Sequence, residues 1–232
     1  MMPERIRSIS PNDRVLEVGP GANPHPRADV SLDRRFADQR EAHAQRGYAP
    51  SALPAESVVW YDGGCFPFEE GEFDYVICSH VLEHVPPSEL DFFVAELQRV
   101  APRGYLEFPS VFYELINYQH VHHWFMNLHD NVITMVNKKT FTTSPLHQIY
   151  REMIYCPDQY GRGLFRRYPD LFFCGYEWFG RIKYHRLSHI EELVTDADLQ
   201  HFSNYFRRQS KPQSGDTKGV VRWRKWTRAA VL

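Results

Sequence analysis

Residues Val15-Leu-Glu-Val-Gly-Pro-Gly-Ala-Asn23 constrain the fold more than any other stretch of this chain. An apolar run holding one acid, Glu17, meets two glycines at Gly19 and Gly21, which reads as a buried strand turning sharply at its C-terminal end. Glycine reaches backbone torsions that other residues avoid, and without a Cβ it lets a ligand approach the main chain. In an open parallel sheet, ligands bind at the C-terminal ends of the strands. An acid beside the turn, with no third glycine opening a long helix, suits a ligand that carries a positive group as well as a ribose. A dinucleotide oxidoreductase would need G-x-G-x-x-G running into a helix. This chain continues Gly19-Pro-Gly-Ala-Asn-Pro24 instead.

The next apolar patch, Ala28-Asp-Val-Ser-Leu-Asp33, reads as a second strand ending in an acid. A parallel crossover normally takes ~10–12 residues or more. The proline-rich Pro20–Arg27 is too short for that, so the first crossover helix is expected to be short or absent. Asp33 is placed to accept two hydrogen bonds from vicinal hydroxyls, an arrangement neutral side chains imitate poorly. Residues 34–50 are polar and Ala-rich, reading as a helix or irregular excursion. Ser57–Asp62 reads as a third strand before Gly63-Gly64, where Asp62 is either a ligand contact or a turn former. Phe73–Ser79 reads as a fourth strand buried on both faces, with Ser79 and His80 at its tip. Ser88 is an expected N-cap for an amphipathic helix over Glu89–Val100, and Tyr105–Pro109 reads as a fifth strand.

Taken in order across residues 14–109, these landmarks resemble the class I S-adenosylmethionine-dependent methyltransferases. Phe73-Asp-Tyr-Val followed by Leu82-Glu-His84 is similar to the FDxV…LEH pattern of the type 11-like subgroup. The resemblance implies an α/β fold, a Rossmann-like three-layer sandwich with a mostly parallel sheet, closed by a C-terminal hairpin and helix cap. It implies S-adenosyl-L-methionine as cofactor. Glu17 would meet its amino-acid end, Gly19, Gly21 and Asn23 would offer backbone, and Asp33 would take the ribose. Asp62 and Gly63 would lie beside the adenine, and Ser79 and His80 near the methyl group. The implied activity is methyl transfer to an oxygen or nitrogen of a small-molecule or carbohydrate acceptor. Ser79-His80-Val-Leu in place of an Asn/Asp-Pro-Pro-Tyr motif argues against methylation of base amino groups. The alternative is an inactive methyltransferase-like scaffold, which the short crossover, Asn23 and the basic tail favour slightly.

Methyl transfer is an in-line displacement, so positioning can supply much of the rate, and a general base helps where the acceptor must lose a proton. His80 is the candidate base, with His120 and His122 as further catalytic candidates. His84 and Glu83 suit a structural role in the loop. If residues 120–123 are strand, His120 and His122 share a face. With His129 or Asp130 they could ligate a metal through imidazole. Nothing fixes the spacing of a third ligand, and no metal centre is expected. Tyr113 and Trp124 are candidate pocket walls.

The expected organisation is a cofactor-binding core over 1–110, sheet completion and acceptor cap over 111–206, and a basic tail over 207–232. Hairpins are expected at 121–139, covering the acceptor site, and at 171–185, completing the sheet. Helices are expected at 141–156 and at 188–207, the latter capped by Ser188. The tail carries eight Lys or Arg against the single Asp216, with Trp223 and Trp226 interleaved, and fits an anionic partner. Across all 232 residues the formal charge is only −2, which argues against a surface built to trap nucleic acid. Hydrophobic residues at 43% suffice for a core. Cys65, Cys78, Cys156 and Cys174 form no CxxC pair, so zinc-ribbon and disulfide frameworks are weak readings. The N-terminus lacks a signal-peptide apolar region, and a cytoplasmic location is expected.

Overall fold

Each of the first five strands is a short apolar run, and together they stack side by side. The computed structural model describes residues 1–21, 24–46, 58–141, 165, 168–200 and 203. Strands β1 (Val15–Val18), β2 (Val30–Arg34), β3 (Val58–Tyr61), β4 (Tyr75–Ser79) and β5 (Arg103–Pro109) pair in parallel. With β8 (Phe173–Phe179), antiparallel to β5, they form a six-stranded sheet of order β3-β2-β1-β4-β5-β8. This is the expected α/β Rossmann-like architecture with a mostly parallel sheet, and the order reverses beside β1, so β1 and β4 open a crevice at their C-terminal ends. No helix occurs among the described residues between β1 and β2, in keeping with the short crossover. Helix α1 (Gln39–Arg46) follows β2 and α2 (Leu90–Val100) follows β4.

The sheet's two faces are unequal. Leu16, Val76 and Leu106 pack with Leu90, Val94 and Leu97 of α2, the apolar stripe of an amphipathic helix. On the other face Val15, Tyr75, Ile77 and Tyr105 pack against Met1, Ile6 and Ile9. The N-cap of α2 is Glu89, not Ser88, and no side chain caps it. Pro86 and Pro87 set a turn in which the Glu89 N–H donates to the Pro86 carbonyl at 2.9 Å, so the chain enters the helix one residue late.

Helix α3 (Val111–Ile116) starts at Ser110, whose hydroxyl accepts from the Tyr113 N–H. Strands β6 (Trp124–His129) and β7 (Val132–Asn137) form the first expected hairpin, with Asp130 and Asn131 at positive φ in its turn. The second expected hairpin is corrected. A short helix, α4 (Pro169–Phe172), leads into β8, and only β8 joins the large sheet. β9 (Lys183–Leu187) leaves it to run parallel to β7 in a three-stranded sheet of order β6-β7-β9. The turn between β8 and β9 is pinned from outside: the Gly180 N–H donates to the Pro102 carbonyl, and the Ile182 N–H to Gln98 Oε1, both at 2.8 Å. These bonds carry the chain across the sheet end.

Residues Met1–Val194 form one compact unit and Thr195–Leu232 a second. The helix expected over 188–207 is corrected at its start: the first unit has a 3-10 turn at Ile190–Leu193 with His189, not Ser188, at its N-cap. In the second, residues 196–200 are helical. The expected helix at 141–156 lies outside the described residues apart from Phe141, as does the basic tail. No helix among the described residues is long and apolar enough to cross a membrane.

Candidate functional site

At the C-terminal ends of β1, β2 and β4 lies a cavity of about 1110 Å³. Glu17, Gly19, Gly21 and Asp33 line one wall of it. Gly19 has φ +68°, and its N–H donates to the Leu32 carbonyl at 2.8 Å, closing the turn onto β2. A Cβ placed there would lie 2.3 Å from Val81 Cγ2, so the loop after β4 presses directly on the turn. Asp33 is buried at the tip of β2, where Oδ1 accepts the Arg34 N–H at 2.8 Å. Glu17 is 2% exposed and accepts the His25 N–H at 2.6 Å. Burial pushes the Glu17 carboxyl up to about 7, with the His25 bond offsetting only part of that. No ion pair to Glu17 exists among the described residues.

The facing wall is the loop after β4 together with the segment entering β6. His80 stands at φ +57°, a conformation few non-glycine residues adopt, and its N–H donates to the Glu107 carbonyl at 2.8 Å. The strained backbone aims the imidazole between two buried carboxylates. Nε2 lies 3.1 Å from Glu107 Oε1, and Nδ1 lies 3.3 Å from Glu83 Oε1. The ring also meets Phe173 edge-on at 5.4 Å. Burial would lower the His80 pKa, but Glu107 and Glu83 outweigh it and lift it to about 9. A pKa raised in this way favours the protonated ring, which suits His80 less to taking a proton than to pairing with the two carboxylates. Glu107 also accepts from Ser79 Oγ at 3.1 Å and Tyr105 Oη at 2.6 Å. Its own burial is outweighed by His80 and Tyr105, which hold it well below the usual carboxylate range.

Beyond His80, a 3-10 turn at Leu82–His84 carries Glu83 and His84 against β6. Trp124 Nε1 donates to the Val85 carbonyl at 2.8 Å, and the His123 N–H donates to the Glu83 carbonyl at 2.8 Å. These two bonds bring His84 and His122 edge to face, with ring centroids 4.4 Å apart. His84 Nδ1 is 2.9 Å from Gln45 Oε1, and His122 Nδ1 bonds the fully buried Glu114, which also pairs with the buried Lys138. Burial pushes His84 down to about 4, so it is neutral at physiological pH.

The residues singled out in the sequence divide clearly. Glu17, Gly19, Gly21, Asp33, Gly63, Ser79, His80 and His122 line the same cavity. Asp62 does not: its side chain is 77% exposed and lies 3.7 Å from Arg35. Asn23 lies outside the described residues. His120 is exposed, outside the lining, and rests edge-on against Tyr118. The face shared by His120 and His122 fails because β6 begins only at Trp124, and the turn before it has no strand alternation. His129 sits five residues further along β6 than Trp124, its Nε2 3.2 Å from the Leu193 carbonyl, and Asp130 is in the hairpin turn, so neither joins His122. Tyr113 lines the cavity; Trp124 is buried behind it. The sequence reading missed Glu107 and Glu114. Their signal is an acid inside an otherwise apolar element, Tyr105-Leu-Glu-Phe and Val111-Phe-Tyr-Glu-Leu, the same signal that Glu17 gives.

Comparisons with known proteins bear on the same region. The family model described as a methyltransferase domain matches residues 39–108, which run from α1 into β5 and leave out the glycine turn. No curated protein matches. Among solved structures, a candidate methyltransferase from Bacillus halodurans is 22% identical over 51% of this chain and 59% of its own, with a TM-score of 0.34. An S-adenosylmethionine-dependent methyltransferase from Thermotoga maritima is 17% identical over 47% of this chain and 49% of its own, TM-score 0.31. The YcgJ protein of Bacillus subtilis is 22% identical over 46% and 50%, TM-score 0.30. The chain thus spans about half to three fifths of the length of these structures. The strand order above, not these likenesses, fixes the architecture.

Proposed function

We propose that this chain binds S-adenosyl-L-methionine and transfers its methyl group to an oxygen or nitrogen of a small-molecule or carbohydrate acceptor. The observation that carries this reading is Glu17, a buried carboxylate with no ion pair among the described residues, beside a positive-φ glycine turn that lines the cavity. Such a group is stabilised when a ligand's ammonium arrives. Asp33 at the neighbouring strand end offers a carboxylate to a vicinal diol. The methyltransferase-domain match over residues 39–108 supports the same class. The cofactor supplies the electrophilic methyl; the chain holds the two reactants in line and shields them from water. Where the acceptor must lose a proton, a general base helps.

Calorimetry with S-adenosylmethionine and S-adenosylhomocysteine tests this on wild type and Asp33→Ala. Micromolar binding that the variant weakens by at least about 10-fold is expected, from the loss of charged hydrogen bonds worth about 1.5–3 kcal/mol each. A folded wild type that ignores both ligands at millimolar concentration sinks the reading and leaves the inactive scaffold.

A further inference from the structure

Glu83 presents a problem that its surroundings do not solve. Its side chain is 1% exposed, it lines the cavity, and neither carboxylate oxygen accepts a hydrogen bond from a described residue. The nearest cationic group, His80 Nδ1 at 3.3 Å, is shared with Glu107. His80 therefore pairs with Glu83 by charge, yet both carboxylate oxygens keep lone pairs that no described donor fills, and native proteins rarely leave such buried groups without a role. Beside it stand His84 and His122, and one ligand atom from each of the three lies within 4.8 Å of the others.

The two imidazoles are prepared in the way metal ligands usually are. Each uses Nδ1 on a side chain, His84 on Gln45 and His122 on Glu114. A proton on Nδ1 leaves the Nε2 lone pair free, and such outer partners fix the tautomer and orientation of metal-bound histidines. Lys138 on Glu114 balances that carboxylate, so it remains a support and does not compete as a ligand.

We propose that Glu83, His84 and His122 hold a divalent first-row transition-metal ion, with coordination positions left open to the cavity. Two imidazoles and one carboxylate are a donor set for Zn²⁺ or Fe²⁺. Metal–ligand bonds of about 2.0–2.2 Å put tetrahedral ligand atoms roughly 3.3–3.5 Å apart. From separations of at most 4.8 Å, the trio closes by no more than about 1.5 Å as the ion enters. That the ion binds is independent of the methyl-transfer reading; that it holds an acceptor oxygen and loosens its proton rests on that reading.

The full-length chain, stripped with chelator, is titrated with Co²⁺, followed by its visible absorption, and Zn²⁺ is added in competition. One Co²⁺ per chain, displaced by Zn²⁺, is expected. His84→Ala and His122→Ala each weaken binding by more than the ~10–100-fold typical of losing an outer partner, and Gln45→Leu by that smaller factor. His120→Ala leaves binding unchanged. Circular dichroism checks the variants. On wild type alone, ring ¹⁵N shifts on adding Zn²⁺ must change at Nε2 of both histidines, so misfolded variants cannot hide a negative. Absence of stoichiometric Co²⁺ binding, or binding that survives in the His84→Ala/His122→Ala double variant, overturns the inference. S-adenosylmethionine calorimetry on the same preparation separates the two readings. Cofactor binding without metal sinks the metal site alone, and metal binding without cofactor supports it while sinking methyl transfer.

Discussion

Glu17 and Glu107 sit on the same sheet, on the same face, two strands apart, and nearly level. Glu17 pairs across with Ile77, Ile77 with Tyr105, and Glu107 is one pleat beyond. Both are almost wholly buried. Burial acts in the same direction on each, yet Glu17 is pushed up to about 7 while Glu107 is held far below the ordinary range. The difference lies in the company each keeps. Glu107 receives the His80 imidazolium and the Tyr105 and Ser79 hydroxyls. Glu17 receives one described backbone N–H. One wall's carboxylate is neutralised by the protein's own groups, and the other's has no ion-pair partner among the described residues.

Removing each carboxylate should break that comparison most sharply. Glu107→Ala leaves His80 with Glu83 alone and takes the carboxylate from the Met1 ammonium, and loss of one partner of a buried pair costs about 3–5 kcal/mol. His80 is about a third exposed, so the low end, about 3 kcal/mol, is expected after solvent screening. Glu17→Gln should cost nothing at pH 8 and instead gain stability, because Glu17 is destabilising when ionised. Urea unfolding of both at pH 8 checks this, and equal destabilisation would erase the distinction.

The pH dependence of Glu17 is the next largest effect. Its carboxyl rises from the ordinary value of 4.5 to about 7 on folding. A raised pKa contributes stability that is fully present below the unfolded value and lost as pH rises through the folded one. Over that span about 3 kcal/mol is lost, at 1.36 kcal/mol per pKa unit. Glu17→Gln mimics the protonated acid, so it should match wild type near pH 4.5 and exceed it by up to about 3 kcal/mol above pH 8. Urea titrations across pH 4.5–8.5 measure the gap. A gap independent of pH would mean Glu17 is already paired.

How much of each wall could be read from the sequence follows from how each is built. The Glu17 wall is local: a strand, two glycines and the next strand's terminal acid occupy residues 15–33, and spacing alone places them together. The facing wall joins Gln45, His80, Glu83, Glu107, Glu114 and Lys138, drawn from one strand, two helices and three turns or loops. No spacing rule connects them. Even where a residue was singled out, its surroundings were hidden, as Glu107 and Glu83 were for His80. Asp62 shows a smaller failure. It follows β3 by one residue, beyond the last residue paired to β2, where strand alternation no longer dictates direction.

Gly19→Ala sharpens the comparison at the contact between the walls. A left-handed φ costs an alanine about 1 kcal/mol or more, and its Cβ would meet Val81 at 2.3 Å. About 2 kcal/mol of destabilisation is expected in all. In a double-mutant cycle with Val81→Ala, the steric part should be recovered and the backbone part should persist. Additive losses would show that the loop after β4 does not rest on the turn.

The smallest effect isolates the non-local wall. Trp124 Nε1 donates to the Val85 carbonyl, and this single buried bond fastens β6 to the turn that carries Glu83 and His84. Trp124→Phe keeps much of the ring's apolar bulk and leaves that carbonyl unsatisfied, at about 1–2 kcal/mol. Thermal denaturation should register that modest loss. The Glu17 wall shares no hydrogen bond with this junction, so S-adenosylmethionine affinity should hardly change, while His84 and His122 should lose their fixed approach and their ring NMR signals should broaden. Sharp, unshifted histidine signals in the variant would mean that the His123 N–H to the Glu83 carbonyl, together with Glu114 and Lys138, suffices to hold the wall. The junction would then be redundant, and the wall's rigidity would reside in its buried charges.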